Sequence, residues 1–124
     1  AADEWFVAAH FHLSPAKEDE ESVSIRELLA KRNDSQPIGE KNCGSVFKNP
    51  PGLFAAKMIE ECGLKGLKIG GAEISPKHAN FITNTGNASA TDITQLMSTV
   101  MSTVKKQYGI ELEPEVRLLG GMEW

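Results

Sequence analysis

The sequence predicts an α+β domain, a two-layer sandwich in which a small mixed or antiparallel sheet packs on about three helices. Three observations carry this reading. Ile93, Leu96, Met97, Val100, Met101, Val104 and Tyr108 recur at helical spacing, the strongest periodic signal in the chain. Two short strand-like runs, LKIGGAEIS at 67–75 and NFITN at 80–84, precede that helix with Pro76 between them. Helical and extended runs are interleaved without requiring parallel strands. At 124 residues the chain matches the usual size of one compact unit and is long enough to bury a core.

The elements follow in order. Trp5, Val7, Ala9, Phe11 and Leu13 alternate with Phe6, Ala8, His10 and His12, so the opening reads as a strand. An acidic run at 18–21 reads as a solvated lead into a helix. That helix is expected from Ser22 or Ser24 to Lys31, with Ile25, Leu28 and Leu29 as its apolar stripe. Pro37 and Gly39 make 33–42 a loop. After Pro50, Pro51 and Gly52 a second helix runs to about Cys62. Leu53, Ala56, Met58, Ile59 and Cys62 form its inner face, and Gly63 caps it. Ser89 and Asp92 offer a capping box for the long third helix, which Gly109 ends. Residues 110–119 read as a final strand.

Composition removes several classes of function. The net charge is −4 and the isoelectric point about 5.4, so clustered cations for nucleic-acid phosphates are lacking. No apolar run is long enough to span a bilayer, and the opening residues lack a basic stretch ahead of an apolar one. Cys43 and Cys62 form neither a metal-ligand spacing nor a disulfide framework, and read as reduced thiols of a cytoplasmic protein. His10 and His12 share a strand face, but no third ligand stands at a helpful spacing, so they read as surface residues.

The chemistry concentrates in NCGSVFKNP at 42–50. It sets the Ser45 hydroxyl beside glycine, four residues before Asn49, in a tightly turning and otherwise apolar segment. The GxSxG elbow of hydrolases is absent, and on spacing alone Ser45 reads as a turn residue. Lys48, Asn49 and the flanking glycine and prolines favour a site, in which an enclosed hydroxyl donates a proton to a reacting carbon. In ELEPEVRLLG, Glu111, Glu113, Glu115 and Arg117 alternate with apolar residues. These carboxylates are either a solvated row, or Pro114 marks an edge or bulge that turns Glu115 into a cleft.

Taken together, SQP at 35, NCGSVFKNP at 42, GLKGLKIGGAEIS at 63, KHANFITNTGNASATDI at 77 and ELEPEVRLLG at 111 resemble one family in its own order. It is the C-terminal substrate-binding domain of UDP-N-acetylenolpyruvoylglucosamine reductase. The resemblance implies that residues 15–124 form the substrate-binding domain and residues 1–14 a terminal strand left over from the FAD-binding region, which is otherwise missing. It implies a flavoenzyme of peptidoglycan synthesis in the cytoplasm. It further implies FAD and NADPH as cofactors of the intact enzyme and UDP-N-acetylglucosamine enolpyruvate as the substrate. By resemblance Ser45 is the acid that protonates C2, Glu115 is the catalytic carboxylate, and Asn49, Lys48 and His78 contact the substrate. The chain alone is expected to bind no cofactor and to be inactive, with the missing FAD-binding domain as its partner. The alternative is a nucleotide-sugar binding module without redox activity.

Overall fold

The computed structural model describes residues 7–15 and 24–120. Among the described residues three helices and four strands follow one another: α1 (Ile25–Ser35), β1 (Asn42–Ser45), α2 (Ala55–Glu61), β2 (Lys68–Ile69), β3 (Ala72–Ile74), β4 (Phe81–Asn84) and α3 (Ala90–Tyr108). The strands form one antiparallel sheet in the order β1-β4-β3-β2. The α+β expectation holds, and the sheet is antiparallel rather than mixed.

α3 lies across β2 and β3 and touches α2. Ser89 caps it as expected: its hydroxyl accepts from the Asp92 N–H, the Asp92 carboxylate accepts from the Ser89 N–H, and Gly109 ends the helix at φ 69°. Leu96, Met97, Val100 and Val104 on its inner stripe meet Ile59, Ile74, Phe47 and Leu112 in a single core. Removing one such side chain, as in Leu96→Ala, typically costs about 2–5 kcal/mol. Tyr108 closes the far end by donating to Glu61 Oε2 at 2.6 Å, which pushes its phenol up to about 12.

Several expectations are corrected. The run 67–75 is two strands, because Gly70 and Gly71 turn the chain into a hairpin pairing Ile69 with Ala72. A methyl group on Gly71 would collide with the Ala88 backbone nitrogen, so packing holds that position to glycine while Gly70 takes the left-handed φ of 53°. Residues 110–119 form no strand and make only an isolated bridge between Pro114 and Phe47. Leu53 precedes α2 and is exposed, while Ala55, Met58 and Ile59 form the buried face.

The opening strand is likewise not found. Residues 7–13 carry no strand, and Val7, Phe11 and Leu13 are exposed; Trp5 and Phe6 lie outside the described residues. α1 begins with a full capping box at Ser24 and Glu27 but runs four residues past Lys31 and buries none of its side chains. Its apolar stripe therefore does not contribute to the core. No helix among the described residues is long and apolar enough to cross a membrane.

Candidate active site

Ser45 ends β1, and local hydrogen bonds fix its position. Asn42 pairs with Thr83 and Ser45 with Phe81, so β1 carries one residue more than β4 over this span, which is a bulge. Gly44 takes a left-handed φ of 82° there, a conformation that favours glycine. The Asn42 side chain holds the approach: its Oδ1 accepts from the Gly44 N–H at 2.9 Å, and its Nδ2 donates to the Pro37 and Glu40 carbonyls, both at 2.9 Å. The glycine that hides this strand from a propensity reading is the residue that re-aims Ser45.

The next residues form a lip between two supports. On one side the Val46 N–H donates to the Asn80 carbonyl at 2.9 Å. On the other, the Glu115 N–H donates to the Val46 carbonyl at 2.8 Å and the Lys48 N–H to the Glu113 carbonyl at 2.9 Å. Pro114, without an N–H, stands opposite Phe47 between those two bonds, so its missing donor breaks neither. Val46 and Phe47 are buried beneath, anchoring the lip to the core.

This arrangement brings Ser45 and Glu115 to one cleft of about 520 Å³, lined by Cys43, Ser45, Glu115, Val116 and Arg117. The hydroxyl and carboxylate are far apart in sequence and share a wall in space. Arg117 joins them; from the sequence it was only a neighbour of Glu115 on an alternating run. A second cleft, of about 450 Å³, shares Ser45 and adds Arg32, Gln36, Asn42 and Phe81. Arg32 carried no sequence signal, because it stands on a helix whose relation to the loop after it is a tertiary fact. Partial burial pushes the Cys43 thiol above its ordinary value, partly offset by a backbone hydrogen bond.

Three residues expected at the site sit elsewhere in the geometry. The Asn49 Oδ1 accepts from the Ala55 N–H at 3.0 Å and so satisfies the first turn of α2, which Phe54 does not cap. Lys48 pairs with Glu113 on the surface, an arrangement of little energetic weight. The His78 Nδ1 accepts from the Asn80 N–H at 3.3 Å, and its ring meets Phe81 edge-on at 4.7 Å. None of the three lines either cleft. No group of histidine, cysteine or acidic residues that could hold a metal occurs among the described residues.

Residues 36–119 match the family described as UDP-N-acetylenolpyruvoylglucosamine reductase, C-terminal domain. The chain belongs to this family. It is 50% identical over 119 residues to the UDP-N-acetylenolpyruvoylglucosamine reductase of Alkalilimnicola ehrlichii, a match covering 96% of this chain and 40% of the relative. The reductase of the same name from Legionella pneumophila strain Corby is 52% identical over 119 residues, with 95% and 39% covered. The solved structure of UDP-N-acetylenolpyruvylglucosamine reductase from Thermus caldophilus matches with a TM-score of 0.59 and 43% identity, covering 73% of this chain and 32% of that one. The chain thus spans about 40% of the length of the curated reductases it matches.

Proposed function

We propose that this chain is the substrate-binding part of a reductase that converts UDP-N-acetylglucosamine enolpyruvate to UDP-N-acetylmuramate in cytoplasmic peptidoglycan synthesis. The observation that supports it best is the shared cleft of Ser45, Glu115 and Arg117 in a member of this family. Neither cleft suits a flavin dinucleotide: each brings a single arginine, Arg117 or Arg32, and neither opens on a glycine-rich helix N-terminus. FAD, reduced by NADPH, would be held by the remainder of the longer enzyme and would supply a hydride to C3 of the enolpyruvyl group.

The residues of this chain deal with the charge and the proton. Hydride addition at C3 leaves negative charge on C2 and its carboxylate. The Arg117 guanidinium counters the carboxylate, and Ser45 delivers a proton to C2. Glu115, in the same cleft wall, orients that hydroxyl at the enol-like intermediate, and water restores the proton that Ser45 gives up once product has left. By the family resemblance Asn49, Lys48 and His78 would reach the substrate, although none of the three lines either cleft in the chain itself. A serine is a weak acid in water, so the step requires the cleft to be closed from solvent. In the chain itself Ser45 and Glu115 are exposed, so the chain alone is expected to lack turnover.

The test uses a full-length chain in which these residues follow the preceding part of the Alkalilimnicola relative. Ser45→Ala should lower product formation by about 10²–10⁴-fold while NADPH still reduces the flavin. Unchanged turnover would remove Ser45 from the reaction. Calorimetry of the chain alone with a UDP-sugar separates the rival reading: tight binding without the remainder favours a nucleotide-sugar module.

A further inference from the structure

α1 poses a physical problem. Ile25, Leu28 and Leu29 stand at the i, i+3, i+4 spacing of one helix face and are 76%, 55% and 50% exposed. An 11-residue helix is marginal in water without packing, and α1 buries no side chain. Its capping box and the extra turn to Ser35 show local order without a core to justify it. The helix is nevertheless tied to the domain at its C-terminal end. The Lys77 Nζ donates to the Asn33 carbonyl at 3.0 Å, and Pro37 just beyond is fully buried.

Three facts point to the occupant of this bare face. The C-terminal-domain match begins at residue 36, one residue after α1 ends. The match to the Alkalilimnicola reductase nonetheless covers 96% of the chain, so α1 lies inside it, while 60% of that relative lies outside. Other exposed apolar side chains, Val7, Phe11 and Leu13, precede α1 in the sequence.

We infer that the apolar face of α1 is a docking surface for the remainder of the full-length reductase. That remainder presents a complementary apolar surface to Ile25, Leu28 and Leu29. Because Arg32 and Gln36 extend α1 into the wall of the second cleft at Ser45, docking also closes that wall from solvent. This last clause rests on the function proposed above; the docking itself rests on the exposed face of α1 and on family membership.

The experiment compares amide hydrogen exchange of α1 in the chain alone and in the full-length chimera. Protection of α1 should rise at least about tenfold in the chimera. Ile25→Gln, Leu28→Gln and Leu29→Gln together keep helix-forming residues but remove the stripe, and should return α1 to the exchange rate of the isolated chain. Exchange of the α3 amides reports in the same experiment that the domain stays folded. If the triple variant loses α3 protection, Leu28→Gln alone is read instead. If the chimera does not fold, the matching positions of the Alkalilimnicola reductase give the same readout. Equal exchange of α1 in both chains would overturn the inference. So would an isolated chain that sediments as a dimer and is dissociated by the triple variant, since the occupant is then a second copy. Exchange is measured without turnover, so failure of the reductase reading and failure of docking remain distinguishable.

Discussion

The Asn80 side chain brackets the backbone of Phe47, accepting from its N–H at 3.0 Å through Oδ1 and donating to its carbonyl at 2.8 Å through Nδ2. A side-chain amide here replaces a strand neighbour and continues the β1–β4 pairing past the bulge. Asn80 is 4% exposed, so neither Phe47 group finds water when the amide is removed. Asn80→Ala should destabilise the chain by about 2–4 kcal/mol, measured by urea unfolding, since two buried bonds are lost and their partners stranded. Asn80→Asp keeps an acceptor for the Phe47 N–H but sets a buried carboxylate oxygen against the Phe47 carbonyl, and should cost at least as much at neutral pH.

Gly71 supplies the second prediction. Its missing Cβ leaves room for the Ala88 backbone, which cannot move without shifting the start of α3. Gly71→Ala should cost about 3 kcal/mol, a clash with backbone rather than with a flexible side chain. Gly86→Ala, where nothing lies within 4 Å, should show only the smaller cost of its φ of 150°. Thermal unfolding of the two variants separates packing from backbone conformation.

His78 predicts a pH dependence. Burial lowers its imidazole below 6.5, with a backbone hydrogen bond opposing and Lys65 adding to the shift. The folded state therefore resists protonation more than the unfolded state does. The contribution is present in full above pH 6.5 and is lost as the pH falls through the lowered folded value. Protonation of Nδ1 would also remove the acceptor for the Asn80 N–H. Between pH 7.5 and 5 the denaturation midpoint of the native chain should fall more than that of His78→Gln. Equal slopes would place the sensitive group elsewhere.

Cys43 is a reporter for the cleft. Its thiol stands in the same wall as Ser45 and is pushed above 9.0 by partial burial. Alkylation by iodoacetamide should be slow at pH 7 and accelerate above pH 9, because the thiolate is the reactive form. In the full-length chimera, a saturating UDP-sugar substrate should slow the modification at least about tenfold if the ligand occupies this cleft. Unaltered alkylation would mean that the substrate lies along the second cleft instead.

The long-range logic of the sequence was readable where periodicity and caps agree. α3 carries both in full, from the Ser89 box to the left-handed Gly109, and emerges as expected. α2 was legible for the same reason, with a shift at Leu53 because the chain turns before the helix begins. β1 was not, since Gly44 interrupts any strand propensity and the bulge it permits depends on pairing with β4. The stretch 110–119 alternates like a strand yet bonds through one bridge, because alternation records which side chains face water and not which backbone groups find partners. In the site, the chemistry of Ser45 and Glu115 came from motif resemblance. Their shared wall with Arg117, the entry of Arg32 and the support from Asn80 required the fold. Asn80 leaves no mark in sequence, because a buried asparagine facing a strand end looks like any turn asparagine.

The sheet order β1-β4-β3-β2 sets an order of assembly. β2, β3, β4 and α3 are consecutive along the chain, and each pairs with a near neighbour, so their contacts close short loops. Phe47 must wait for Asn80, 33 residues on, and Lys48 for Glu113, 65 residues on. A nascent chain emerging from the ribosome therefore holds a nearly finished platform while the rim bearing Ser45 is still open, and that rim completes only when the strand-like tail arrives to pin it.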